Sequence, residues 1–401
     1  MNFYNLIFSI FKAILSLPLM KITRLFNEFF ESEKAGGLIL VFCTAISLIL
    51  ANSIFKEDYV HLWHLTIANH PIEYWINDGL MTIFFLLIGL ELEREIYNGE
   101  LSSIKNVTLP LFAAIGGMLV PAVIYLFFNK GLSTQSGIGI PMATDIAFAI
   151  GILSLLGNKV PTSLKIFLTA LAVMDDLGAI MIIAIFYTNT IVYANLWIAL
   201  GILGGLFILN RLKVYSLIPY VIGGILMWYF MLQSGIHATI TGVLVAFVIP
   251  FGDGKKKSTS YVLQHILHKP VAFIILPLFA LANTCIQFEP QWINHFWLPN
   301  SLGVFAGLVV GKPLGICLFS FLAVTIGICV LPSDLKWKHI LGASFLGGIG
   351  FTMSIFITLL AFNENELITG TKIAVLLSSL VAGLIGFLWL KVTLKNDVTV
   401  E

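Results

Sequence analysis

The segment 168-LTALAVMDDLGAIMIIA-184 decides the fold. Two adjacent carboxylates, Asp175 and Asp176, stand at its centre, and the nearest other charge is Lys165. The apolar window around them, 162–187, exceeds the ~20 residues that a helix needs to cross a hydrocarbon layer. A charge at the bilayer centre costs at least ~2.5–3.5 kcal/mol on insertion scales, and such residues usually line a pathway. Neighbouring residues on a helix point ~100° apart. One carboxylate can therefore face a cavity while the other faces a neighbouring helix. Two carboxylates held so close cannot both ionise cheaply, so they form a coupled titrating unit. A small hard cation stabilises the ionised form through oxygen ligands. The pattern predicts a site where protons and a metal ion compete.

The rest of the chain agrees with a membrane setting. Of its 401 residues 58% are apolar and 11% charged, against ~25% charged in soluble domains; mean hydropathy is +0.97. These values exclude a cytosolic enzyme and a disordered chain, and the net charge of +1 leaves no footprint for nucleic acid. Cys43, Cys285, Cys317 and Cys329 lie in or beside apolar runs without a CxxC pair, so they read as small buried hydrophobes and not as disulfides or a zinc site. No cofactor is expected.

Apolar segments fall at 35–55, 76–97, 107–128, 134–156, 162–187, 194–211, 215–231, 235–250, 260–284, 302–324, 339–361 and 370–392. With both termini in the cytoplasm, Lys56, Lys130 and Lys372 lie outside and Lys312 lies within a span. The other eighteen of the 22 Lys and Arg are cytoplasmic, as the positive-inside rule requires. The expected architecture is an all-α polytopic membrane protein of about twelve transmembrane helices. Residues 1–32, apolar but carrying Lys12, Lys21 and Arg24, read as an interfacial amphipathic segment. Residues 33–393 read as a single transporter domain and 394–401 as a cytoplasmic tail.

Three more charges fall inside spans. Asp145 follows Gly137, Gly139 and Pro141 in 136-SGIGIPMATDIAFAIG-151, which suggests an interrupted fourth helix. Irregular backbone at that depth is tolerated inside protein or beside water. A half-helix N-terminus carries partial positive charge that Asp145 can offset, and the opposite ends expose carbonyls that suit cations. Lys312, in 306-AGLVVGKPLGICL-318, needs an anionic partner, and Gly311 and Pro313 beside it predict close packing and a local distortion. Asp78, near the outer end of the second span, is placed at an outer entrance. The eleventh span, 341-LGASFLGGIGFTMSIFI-357, is broken by glycines before Thr352. Spans four and eleven run in opposite directions, and paired interrupted helices in inverted halves point to a secondary transporter with its site at the midplane.

The segments 141-PMATDIAFAIG-151, 164-LKIFLTALAVMDDLGAI-180, 311-GKPLGI-316, 347-GGIGFTMSIFI-357, 75-WINDGLMTIFFLLIGLELERE-95 and 234-SGIHATITG-242 resemble the bacterial NhaA-type sodium/proton antiporters, in order, from about residue 33 to 393. The inverted-repeat architecture is a known property of that family. The resemblance implies electrogenic exchange of cytoplasmic Na⁺ or Li⁺ for external H⁺ in a bacterial inner membrane, serving sodium and pH homeostasis. It assigns Asp176 to the transported Na⁺, and Asp175 to the proton and to a salt bridge with Lys312. It places Thr144 and Asp145 at the broken-helix site. It also links Glu91, Arg94, Glu95, His237 and His265 to pH sensing at the cytoplasmic side or to control of activity. Two departures stand out. Gln264 occupies a position where members often carry glutamate. The loop at about 56–75 is shorter than the family's dimer hairpin and allows at most a small one from Leu65–Ile67 and Asn69–His70, which weakens the case for a homodimer.

The competing readings are weaker. A sodium-coupled symporter of an organic anion should offer polar or basic groups for its solute. An intramembrane aspartyl protease needs GxGD and YD motifs, and neither is present. A retinal protein would use Lys312 as a Schiff base but needs only seven spans.

Overall fold

A computed structural model describes residues 33–98, 104–187, 191–252, 258–288 and 292–397; the expected interfacial segment 1–32 lies outside them. The chain enters as α1 (Glu33–Ala51) and turns by 115° into α2 (Lys56–His64). The break sits at Asn52-Ser53. The Asn52 side chain donates to the carbonyls of Leu48 and Ile286, each at 2.8 Å, and accepts the Phe288 N–H at 2.7 Å, so helix end and distant loop are stitched together. α2 carries Lys56, Glu57 and Asp58 and buries Tyr59 and Trp63 on its other side. A two-residue hairpin follows, β1 (Thr66–Ile67) against β2 (His70–Pro71). Its turn residues Ala68 and Asn69 both have left-handed φ, +50° and +67°, the geometry that matches strand twist in a tight hairpin. This is the small hairpin the sequence allows.

The remaining helices are α3 (Ile72–Asn98), α4 (Ile104–Asn129), α5 (Ile146–Ser154), α6 (Thr162–Phe186), α7 (Tyr193–Arg211), α8 (Ile218–Leu232), α9 (Ile240–Ala246), α10 (Thr259–Asn283), α11 (Trp292–Phe296), α12 (Pro299–Thr325), α13 (Trp337–Gly347), α14 (Phe351–Ala361) and α15 (Asn365–Asp397). Among the described residues eight helices are long and apolar enough to span a membrane, or up to ten if each bent pair is one span. Each of the twelve expected segments carries helix, but the eighth falls short of its expected 235–250. Gly235 has φ +84°, and tight i→i+3 bonds run from His237 to Gly242, leaving α9 seven residues long. α15 runs on through Asp397, so residues 394–397 continue the helix where a tail was expected.

Wide helical turns interrupt α3 at Trp75–Leu80, α10 at Val271–Ile275 and α12 at Gly307–Gly311. The last two end two residues before Pro277 and Pro313. A proline has no N–H to close the ordinary i→i−4 bond, so the preceding turn widens. The distortion expected at Gly311 and Pro313 is thus present.

Two glycines set the centre of the bundle. A Cβ on Gly116 of α4 would strike the Gly315 carbonyl of α12, and one on Gly315 would strike the Gly116 carbonyl. The contact is reciprocal, so the two helices cross backbone against backbone. The main core links α1–α6, Val243 of α9, α10 and α12–α15, while a second core around Leu206, Tyr220, Met227 and Met231 joins α7, α8 and α9 to Leu90 of α3.

Candidate ion-binding site at the helix crossing

The fourth span is a 3₁₀ segment, Ser133–Met142, then an extended Ala143–Asp145, then α5. The eleventh is α13, a break at 348–350, then α14, bent by 44°. The two breaks touch. The Asp145 N–H donates to the Ile349 carbonyl at 2.7 Å, and Thr144 Oγ1 lies 2.8 Å from the Gly347 carbonyl at the end of α13.

Asp145 then serves two helices. Its Oδ1 accepts the Phe148 N–H at 3.0 Å, which caps α5. Its Oδ2 accepts the Thr352 N–H at 3.0 Å and the Thr352 hydroxyl, in the first turn of α14. Each helix N-terminus carries roughly +0.5 charge, so one buried carboxylate balances both ends. This is the offsetting role that the sequence predicts for it.

α6 brings Asp175 and Asp176 to the crossing. Lys312 Nζ lies 2.6 Å from Asp175 Oδ2, and the Thr144 hydroxyl donates to the same oxygen at 2.6 Å. Lys312 also donates to Thr144 Oγ1. Thr144, Asp145, Asp175, Asp176 and Lys312 are all buried, none above 2% exposed. The other oxygen of Asp175, Oδ1, faces Gly117 of α4 and has no hydrogen-bond partner among the described residues, and neither has Oδ1 of Asp176. Among the described residues Asp175 is tied to a cation and Asp176 is not. The same residues show no cluster of three or more His, Cys, Asp or Glu side chains that could hold a metal.

The other expected residues separate into two places. Asp78, Glu73, Asn77 and Tyr74 of α3 line a cleft of about 450 Å³ with His237, Phe356 and Leu360. His237 was grouped with Glu91, Arg94, Glu95 and His265. It lies instead with Asp78, toward the opposite end of α3 from Glu91, because Gly235 and the tight turns after it hold residues 235–238 against that cleft. Glu91 is half-buried and within hydrogen-bond reach of Gln264. Arg94 is exposed, Glu95 is half-buried, and His265 is exposed with its ring stacked on Tyr261, centroids 6.1 Å apart.

Two buried charges escaped the sequence reading. Glu93 is 4% exposed and accepts a 3.2 Å hydrogen bond from Ser260 of α10. In the sequence it hides among Glu91, Arg94 and Glu95, a run that reads as a solvated helix end. Lys372, expected outside, is buried in α15 and faces Glu73. Thr352 was noticed only for its place after the glycines, and its bond to Asp145 depends on a partner 207 residues away.

The family model described as Na+/H+ antiporter 1 matches residues 27–390. The Na(+)/H(+) antiporter NhaA of Flavobacterium psychrophilum is 66% identical over 380 residues, 94% of this chain and 99% of that one. The namesake from Cytophaga hutchinsonii is 62% identical over 382 residues, 95% and 99% of the two chains. That of Dechloromonas aromatica is 58% identical over 381, 94% and 98%. A solved sodium proton antiporter of Methanocaldococcus jannaschii, MjNhaP1, shares the fold with a TM-score of 0.53 at 14% identity, over 95% of this chain and 100% of that chain. With the model covering nearly the whole chain and relatives identical at more than half of their aligned positions, the chain belongs to the Na+/H+ antiporter 1 family.

Proposed function

We infer that this protein is a secondary active transporter that exchanges Na⁺ for H⁺ across the membrane it spans. The observation that carries this reading is the contrast between two adjacent buried carboxylates, one paired with Lys312 and one unpaired. Asp176 takes the cation together with the free oxygen of Asp175. Protons leave as it binds, because an anionic ligand set and a protonated one cannot coexist at the same oxygens. Thr144 and Lys312 hold Asp175 in register, and Asp145 keeps the two half-helices together around them. Li⁺, a like monovalent cation with harder character, is carried at the same place. The cleft lined by Asp78, Glu73 and His237 is the outer entrance. Glu91, Arg94, Glu95 and His265 mark the cytoplasmic end. Both termini are cytoplasmic in a bacterial inner membrane, an orientation that rests on the lysine and arginine asymmetry. The short hairpin gives a homodimer little to pair through. An organic-anion symporter would need a free basic group at the crossing, and Lys312 is already held by Asp175 and Thr144.

Asp176 gives up one proton as the cation binds, and Asp175 gives up a second when it leaves its protonated form for the ion pair with Lys312; two protons exchanged for one cation make transport electrogenic, and moving one charge through 100 mV is worth ~2.3 kcal/mol. The test uses proteoliposomes with equal pH and sodium on both sides and a potassium diffusion potential. An inside-negative potential should drive sodium out and protons in. Exchange that ignores the potential means one proton per sodium, and no sodium-dependent proton movement under any gradient refutes antiport itself.

A further inference from the structure

The outer half of the fourth span, Ser133–Met142, is a 3₁₀ helix of ten residues. Runs beyond ~3–4 residues are uncommon, because the hydrogen-bond geometry is poorer than in an α-helix. Such a run needs support from outside, and hydroxyl groups of neighbouring elements supply it. Tyr125 of α4 donates to the Thr134 carbonyl at 2.6 Å, and Ser354 of α14 donates to the Ile140 carbonyl at 2.7 Å. Between these two anchors the Tyr187 hydroxyl donates to the Ser136 carbonyl at 2.8 Å and accepts the Gly139 N–H at 3.3 Å.

Tyr187 directly follows α6 and is buried. Ser136 and Gly139 stand at i and i+3, so one phenol hydroxyl bridges the two ends of a single 3₁₀ turn. In an α-helix the Ser136 carbonyl would bond the Ile140 N–H instead. A side chain inserted into a helix ladder sets the local geometry of that turn. Gly139 leaves room for it, since a Cβ there would lie 2.9 Å from the Tyr187 oxygen.

The form of this turn matters for length. The path from Thr134 to Ile140 is ~12 Å at the 3₁₀ rise and ~9 Å at the α rise. With its outer start anchored by Tyr125, a segment that tightened by ~3 Å would draw its inner end outward. That end carries Thr144, whose hydroxyl donates to Asp175 Oδ2 at 2.6 Å. α6 thus meets the fourth span twice, through Asp175 at the crossing and through Tyr187 ~17 Å further along the helix axis.

We propose that Tyr187 is a positioning residue for the cation: its hydroxyl keeps the outer half of the fourth span at its 3₁₀ length and so holds Thr144 against Asp175. This role depends on Asp175 and Asp176 being the cation site, as inferred above. The phenol touches neither ion itself.

The test takes two readings on the full chain. One is half-saturating sodium for exchange in proteoliposomes. The other, in detergent at constant ionic strength, is the sodium concentration that gives half of the sodium-induced rise in melting temperature, since a bound ligand stabilises the folded state. Tyr187→Phe should raise both values several-fold, while its melting temperature without sodium stays within a few degrees of the parent. Gly139→Ala displaces the same hydroxyl and should shift both values in the same direction; it decides the matter if Tyr187→Phe does not fold. Tyr125→Phe also takes a hydroxyl from the segment, but frees its outer start, which can then follow a change in length. It should leave both sodium values at the parent's, whatever it does to stability. Parental sodium values in Tyr187→Phe and Gly139→Ala overturn the proposal, and so does a shift in Tyr125→Phe as large as that in Tyr187→Phe, because any lost hydroxyl would then do. A parent that gains stability from sodium but moves no protons refutes antiport alone, and the melting reading still judges Tyr187. A parent that neither exchanges nor gains stability from sodium overturns the cation site and Tyr187's role with it.

Discussion

Replacing Lys312 with alanine removes the ammonium that lies 2.6 Å from Asp175 Oδ2 and leaves that carboxylate with the Thr144 hydroxyl alone. Both members of the pair are 0% exposed, so solvent cannot enter to replace the lost charge. Breaking a buried pair from one side costs ~3–5 kcal/mol. Most of that cost is the stranded anion, which a second substitution can remove. Lys312→Ala should therefore lower the melting temperature in detergent by several degrees, and Lys312→Ala with Asp175→Asn should recover a large part of the loss. Lys312→Arg keeps the charge and should fall between parent and alanine, because the larger head must fit the buried space between Asp175 and Thr144. The assay is thermal unfolding at one pH and sodium concentration for all four proteins, with exchange measured in parallel. If Lys312→Ala is as stable as the parent yet loses exchange, the lysine is a mechanistic proton carrier and its structural role is refuted. If the double variant is no more stable than Lys312→Ala, the stranded-charge account is wrong.

Three further outcomes follow from the same geometry. Asp176→Asn, at a carboxylate with no cationic partner among the described residues, should abolish sodium-driven proton movement while the protein still inserts and unfolds near the parent temperature; near-normal exchange would remove Asp176 from the site. If sodium and protons compete for the same carboxylates, half-saturating sodium should rise as pH falls, and a constant value across the active range would indicate separate sites. Gly315→Ala drives a methyl group into the Gly116 carbonyl, where a backbone atom cannot step aside; overpacking of this kind costs ~1–3 kcal/mol, to be read as a lower unfolding temperature, whereas Gly204→Ala, with open space around it, should be neutral.

Much of the site was legible because a charge in an apolar run is conspicuous. Asp145, Asp175, Asp176 and Lys312 announced themselves by cost alone, and the glycines around 137–139 and 347–350 announced the broken helices. What stayed hidden depends on partners distant in sequence. Thr352 carries no charge, and the carbonyls of Gly347 and Ile349 have no side-chain signature at all. Glu93 was masked by its charged neighbours, because composition cannot tell which side of a helix end faces protein. The eighth span reads as an ordinary apolar window, and only the left-handed backbone at Gly235 and the turns after it reveal a helix of seven residues. The same turns moved His237 from the expected pH-sensing group to the cleft beside Asp78.

The sharing of Asp145 between α5 and α14 has a mechanical consequence. Its backbone N–H grips one strand of the crossing while its two carboxylate oxygens grip the starts of both half-helices. Neither break can be pulled open without uncapping the other, so the pair behaves as one knot. If the cation is bound beside this knot, as proposed above, its access can alternate while the knot stays tied. Sodium would leave because water reaches it from a new side, with its ligands still in place.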